Sequence, residues 1–130
     1  MFGVWSRQSA VYRLVGKGYA YVGGELNNGR INFSTRELGE FIILNDTIPP
    51  AIRPIYLNAQ NIRLKIRDNL SGIGRFYATI NGQWLLLHYD AKTGILMSEK
   101  KNKTESLKGD VVVEVTDLAG NKETFKSKIL

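Results

Sequence analysis

Ile62-Arg63-Leu64-Lys65-Ile66-Arg67 alternates apolar and basic side chains one by one. Successive side chains of a β-strand point to opposite faces, so this stretch reads as a strand with Ile62, Leu64 and Ile66 in a core and its cations in water. Val111, Val113 and Val115 alternate with Val112, Glu114 and Thr116 in the same way. These two segments set the expectation of an all-β fold in which those six apolar residues face inward.

Working outward, the runs Arg75 to Ile80 and Gln83 to Tyr89 are separated by Asn81-Gly82, the dipeptide best suited to the positive φ values of a type I′ turn, and so predict a hairpin. Asp90 to Gly94 reads as the next turn, Ile95 to Ser98 as a short strand, and Glu99 to Asp110 as a polar loop with room for one helical turn at Thr104 to Lys108. Asp117-Leu118-Ala119-Gly120-Asn121 then turns the chain into a last strand, Lys122 to Ile129. With Ile52 to Leu57 added, about seven short strands recur at intervals of roughly 8 to 15 residues, a spacing that suits an antiparallel sandwich. Trp84 is expected in or beside its core.

Upstream, Val11 to Val15, Tyr19 to Val22, Arg30 to Arg36 and Glu40 to Leu44 look like four strands broken by glycines and by the Asn27-Asn28-Gly29 turn. So short a piece can bury little by itself, and is expected to pack against the larger module or to complete a sheet begun elsewhere. Asp46-Thr47-Ile48-Pro49-Pro50 marks the boundary, because two prolines fix φ, remove amide donors and stop a ladder. The chain is thus divided into a strand-rich segment, residues 1–46, and a sandwich, residues 47–130.

Composition excludes several chemistries. The 130 residues are 43% apolar, enough for a core, and include no cysteine and one histidine, His88. A disulfide scaffold, a zinc knuckle and a thiol nucleophile need cysteine, zinc hydrolases usually need several imidazoles, and a Ser-His-Asp triad needs its histidine beside a nucleophile. His88 has no partner motif and reads as a half-buried or surface imidazole rather than a general base. No enzyme and no cofactor is expected. Eighteen Lys and Arg against twelve Asp and Glu give a net charge of +6, enough to attract a polyanion. The cations are scattered: Arg63, Lys65 and Arg67 on one strand face, Lys100, Lys101 and Lys103 in a loop, and Lys122, Lys126 and Lys128 near the end. A solvated face plus one basic loop is the preferred reading. No window approaches the apolar length of a membrane span. Met1 to Ser9 is too short and polar for a secretory core, which leaves a cytoplasmic protein or a mature segment whose export signal lies outside the sequence.

Three constellations could bind something. Trp84, Tyr77, Tyr89 and Phe76 could stack on sugars or bases, although core packing is the preferred reading of these rings. Asp46, Asp68 and Asp117 stand at or next to strand ends and could converge on Ca²⁺; the preferred alternative is that each accepts amide bonds in its own Asx-turn, so no metal site is assigned and the three remain secondary calcium candidates. Trp5, Tyr12, Tyr19 and Tyr21 could be interface residues or the local core of the N-terminal segment, and the sequence does not choose between these.

The motifs Asp46-Thr47-Ile48-Pro49-Pro50, Asp68-Asn69-Leu70-Ser71-Gly72-Ile73, Tyr77-x-x-Ile80-Asn81-Gly82-x-Trp84, Tyr89-Asp90-Ala91-Lys92 and Val115-Thr116-Asp117-x-Ala119-Gly120-Asn121 occur in this order. In this the chain resembles the C-terminal immunoglobulin-like region that follows the catalytic domain in some exported lysostaphin-type zinc peptidoglycan endopeptidases of Gram-negative bacteria. Val22-Gly23-Gly24-Glu25, Asn28-Gly29 and Arg36-Glu37-Leu38-Gly39 are similar to the segment preceding that region, so the likeness covers roughly residues 20–130. The resemblance implies an immunoglobulin-like sandwich from about Thr47 onward and an exported, periplasmic or cell-surface location. It carries no catalytic residue to this chain, which lacks the His-x-His element of the peptidases. The function expected is that of a non-catalytic envelope accessory module. Its expected partners are an attached or neighbouring peptidase, and peptidoglycan or an envelope protein. The tentative binding residues are Arg63, Lys65, Arg67 and Trp84. A basic face binding polyanions and a calcium-stiffened adhesin-type module are the alternatives; nucleic acid is not the expected partner.

Overall fold

A computed structural model describes residues 5–98 and 106–130. Its strands run, in chain order, β1 (Ser9–Val15), β2 (Gly18–Gly23), β3 (Glu25–Asn27), β4 (Arg30–Asn32), β5 (Phe41–Asn45), β6 (Ala51–Leu57), β7 (Ile62–Arg67), β8 (Ile73–Ile80), β9 (Gln83–Trp84), β10 (Leu87–Asp90), β11 (Ile95–Ser98), β12 (Gly109–Asp117) and β13 (Lys122–Ile129). No helix occurs among the described residues, and the fold is all-β.

The alternation in β7 and β12 has the consequence expected of it. Ile62, Leu64, Ile66, Val111, Val113 and Val115 are all buried and join Ala78, Leu85, Leu87, Leu96, Leu107 and Ile129 in one core. Burying each aliphatic side chain of this kind contributes roughly 1.5–3 kcal/mol. Two four-stranded antiparallel sheets enclose the core, one ordered β10-β11-β7-β6 and the other β13-β12-β8-β9. Two antiparallel sheets enclosing one core in this way make a β-sandwich.

Two expectations about the middle of the chain are corrected. Gln83 to Tyr89 is not one strand: β9 pairs with β8 in the second sheet, whereas β10 pairs with β11 in the first. The chain crosses between sheets at Leu85-Leu86, which lets Leu85 and Leu87 both enter the core. Trp84 is not in or beside the core. It lies opposite Thr79, on the solvent side of β9, and is 58% exposed. Leu85, the next residue, takes the inward position. The Asn81-Gly82 turn has φ values of 51° and 79°, as a type I′ turn requires. Asn81 also ties this turn to the start of β12, donating from Nδ2 to the Lys108 carbonyl and accepting the Asp110 amide at Oδ1.

Before Asp46 the strands pair only among themselves, as a sheet ordered β2-β1-β5 and a small β3-β4 hairpin. The strand expected over Arg30 to Arg36 stops at Asn32, and Phe33 to Glu40 has no regular structure. Ala10, Val11 and Tyr12 are buried in succession, so both faces of the central strand β1 are covered. Polar bonds join this sheet to the sandwich. The Asp46 amide donates to the Gln8 carbonyl, Gln8 Nε2 donates to Asn121 Oδ1, and Asn121 Nδ2 donates to the Asp46 carbonyl. Of the helical turn expected at Thr104 to Lys108, residues 104 and 105 lie outside the described residues, and 106–108 carry no helix. The lysines at 100, 101 and 103 also lie outside them.

Candidate functional site

Two solvent faces and one buried cluster collect the chemistry. On the second sheet, residues that pair directly share a face, and β8 turns Arg75, Tyr77 and Thr79 outward. Trp84 sits across from Thr79, one diagonal step from Tyr77, a separation of roughly 7–8 Å that large rings bridge. Tyr77 is 52% exposed. Glu114 lies beside Tyr77, with Thr124 beyond it, and Lys126 lies across from Val112, which neighbours Thr79. Lys122 pairs with Glu114 at 3.9 Å. The result is a flat surface with two exposed rings and a cationic border. Of the other two rings in the proposed stacking set, Phe76 and Tyr89 pack edge to face against the core, with centroids 6.1 Å apart.

The first sheet presents the opposite outer face. Arg63, Lys65 and Arg67 all point outward from β7, with Arg53 of β6 directly across from Lys65. Arg63 lies over the Tyr56 ring at 5.9 Å from its centroid. The two ion pairs among the described residues, Arg13 with Glu37 and Lys122 with Glu114, involve none of these four cations. His88 is exposed on β10 across from Met97 of the same sheet. The sequence pattern missed Arg53, because Pro54 and the bulge after it break the alternation of β6.

The third constellation lies where the N-terminal sheet meets one end of the sandwich. Asp46 follows β5, Asp68 follows β7 and Asp117 ends β12. Each accepts amides of its own turn, as an Asx-turn does: Asp46 Oδ1 from Ile48, Asp68 Oδ2 from Leu70 and Gly72, and Asp117 Oδ1 from Ala119 and Asn121. The three also converge, offering oxygens that lie within 4.8 Å of one another. Ser71, which sequence reasoning passed over, holds two of them together: its amide and hydroxyl both donate to Asp46 Oδ2, while Asp68 Oδ2 is 3.4 Å from the hydroxyl. Asp46 and Asp117 are buried and Asp68 is half-buried.

The electrostatics follow from this crowding. Burial pushes the Asp68 carboxyl up to about 6, against the opposing Gly72 and Leu70 amides and with help from its neighbour Asp46. Burial also pushes Asp46 upward, but the Ser71 hydroxyl and amide, the Asp68 carboxyl and the Ile48 amide outweigh it and hold Asp46 below the ordinary carboxylate value. Tyr12 is fully buried and its hydroxyl has no hydrogen-bond partner. Burial, then the charges of Asp46, Tyr21, Asp68 and Asp117, raise it to about 12. Asp68 Oδ1 is likewise buried without a partner.

Of the remaining aromatic candidates, Trp5 is half-buried, Tyr12 is buried, and Tyr19 and Tyr21 are exposed at the sheet edge. Trp5 lines an open apolar cleft of about 490 Å³ with Val11, Ile31, Phe33, Phe41 and Ile43.

No protein-family model and no curated protein matches this sequence. Among solved structures, a crystal structure of a mutant Clavibacter michiganensis expansin in complex with cellohexaose aligns with 92% of this chain at 19% identity and a TM-score of 0.46. The alignment covers 66% of that chain, slightly under two thirds of its length. A likeness of that order transfers neither ligand nor site. No helix among the described residues is long and apolar enough to cross a membrane.

Proposed function

We propose that this chain is a non-catalytic binding module of the bacterial cell envelope, which holds an attached or neighbouring peptidoglycan hydrolase against its substrate. The observation that carries this reading is the outer face of β9-β8-β12-β13, where Trp84 and Tyr77 are both more than half exposed on neighbouring strands. A soluble sandwich normally turns rings of this size inward, and flat aromatic surfaces suit the apolar faces of sugar rings. Lys126, Lys122 and Arg75 border the rings, placed to meet the carboxylates of a peptide-bearing glycan strand. The resemblance to the immunoglobulin-like region of exported endopeptidases supports the same location and partner. The lone His88, exposed and without a nucleophile beside it in sequence, supports a non-catalytic role.

The test is co-sedimentation of the purified chain with isolated murein sacculi. The wild type should sediment with them, Trp84→Ala should lose at least tenfold in retained protein, and soluble muropeptides should not accumulate. Equal retention of wild type and Trp84→Ala, or zinc-dependent hydrolysis that survives repurification, would overturn the reading.

A second reading, polyanion binding, is favoured by the row of Arg53, Arg63, Lys65 and Arg67 on the opposite face. Binding driven by these charges weakens steeply as salt rises, whereas ring stacking does so far less, and a salt titration separates the two.

A further inference from the structure

We propose that Asp46, Asp68 and Asp117 bind one divalent cation of the calcium class at the junction between the β2-β1-β5 sheet and the end of the sandwich.

The turns do not exhaust these carboxylates. Asp46 Oδ2 serves Ser71 twice, Asp68 Oδ2 serves Leu70 and Gly72, and Asp117 Oδ1 serves Ala119 and Asn121. That leaves Asp68 Oδ1 with no partner, Asp46 Oδ1 with one long amide bond of 3.2 Å, and Asp117 Oδ2 with the Asn121 side chain alone. Each aspartate therefore keeps an oxygen with spare lone pairs. Three carboxylates packed together, none of them in either ion pair of the described residues, repel one another unless a proton or a cation sits between them.

A second observation points the same way. The Tyr12 hydroxyl is fully buried without a partner, and the three aspartates are among the charges it feels most strongly. Buried polar groups are ordinarily satisfied, so an orphaned hydroxyl in the field of the three aspartates and an orphaned oxygen on one of them mark a position that something else completes. The Asx-turns account for the amides and leave both orphans unexplained.

The geometry selects the ion. Calcium takes six to eight oxygens at about 2.3–2.6 Å, so two of its ligands are at most about 5 Å apart. The three carboxylates, within 4.8 Å of one another, meet that limit. Magnesium demands a near-ideal octahedron at about 2.0–2.1 Å, which carboxylates pinned by turn amides are poorly placed to close into. Water would complete the shell, and half-buried Asp68 leaves a route from solvent. Bound there, the ion would tie the end of β5 to the β7-β8 and β12-β13 turns and fix the angle between the two parts. This role is independent of what the aromatic face binds.

The experiment melts the full chain, stripped with EDTA, over 0.01–10 mM calcium chloride at constant ionic strength set with sodium chloride. The midpoint should climb steadily once calcium exceeds its dissociation constant, since a ligand that binds only the folded state must raise it. Asp68→Asn retains an oxygen for the Leu70 and Gly72 amides and should need at least tenfold more calcium for the same shift. Terbium luminescence excited through tyrosine, with Tyr12→Phe as the variant, reads the site without unfolding, and Tyr12→Phe should lose most of the signal. Equal midpoints in calcium and in EDTA, an equal shift in wild type and Asp68→Asn, or terbium luminescence unchanged by Tyr12→Phe would overturn the proposal.

Discussion

The sandwich and the N-terminal sheet are built from the same kinds of residue and reach different ends. In β6 to β13 the apolar positions of two sheets face each other, and one continuous core results. In β1 to β5 a single three-stranded sheet and a small hairpin bury Ala10, Val11 and Tyr12, but leave Leu14, Val15, Tyr19, Leu26, Phe33 and Ile42 substantially exposed. Leu38 is 95% exposed. A sheet buries its apolar side only when another layer of matching size covers it, and here the layer is too small. The N-terminal sheet is therefore held at the sandwich by the polar network of Gln8, Asp46 and Asn121 more than by shared apolar surface. Stability need not be uniform across such a chain.

The largest expected effect tests the sandwich half of this contrast. Leu64→Ala should cost about 2–5 kcal/mol, the usual range for an enclosed leucine. Ile42→Ala, at a site 39% exposed, should cost less than about 1 kcal/mol. Chemical denaturation of both variants checks the pair, and equal costs would mean that the N-terminal sheet is as tightly packed as the sandwich.

Next comes the junction. Asn121 donates to the Asp46 carbonyl and to Asp117 and accepts from Gln8, so Asn121→Ala strands buried groups on three segments. A loss of about 1–3 kcal/mol is expected. Hydrogen exchange should show the amides of β1 and β5 losing protection before those of β12, and a uniform loss would contradict the contrast.

A smaller effect is pH-dependent. The folded-state value of Asp68, about 6, lies above its ordinary value of 3.8. Its protonated form therefore contributes stability that is complete below the ordinary value and is lost as pH rises through about 6. In EDTA the melting midpoint should fall between about pH 4 and pH 7, and Asp68→Asn should flatten that slope. Asp46, held low, works in the opposite sense: its contribution is present above the ordinary carboxylate value and disappears as the medium turns more acid. The two titrate as a pair, so the midpoint curve reports their joint behaviour.

The aromatic face gives the smallest expected stability effect. Trp84→Ala should move stability by no more than about 0.5 kcal/mol, because the ring stands in solvent. A cost of several kcal/mol would place that ring against the core.

Apart from Gln83 to Tyr89, the strands of the sandwich were legible, and so were the inward faces of β7 and β12, because side-chain alternation is a local property. Ile62-Arg63-Leu64-Lys65-Ile66-Arg67 carries its own inside and outside, and Asn81-Gly82 carries its own turn. The site was only half legible. Asp46, Asp68 and Asp117 could be named from their turn motifs, and their local amide bonds could be expected, but their meeting could not. Tyr12 could be named only as an interface or local-core ring, and Ser71 only as part of the motif that follows Asp68.

By itself, then, the sequence determined where most strands form and which faces of β7 and β12 are apolar, since periodicity and turn chemistry act between neighbours in the chain. Tertiary structure alone decided that the chain changes sheets at Leu85-Leu86, that Trp84 faces water, and that three distant aspartates share one place. Those outcomes depend on which strands pair and in what register, and a one-residue change of register turns every side chain of a strand to the other face.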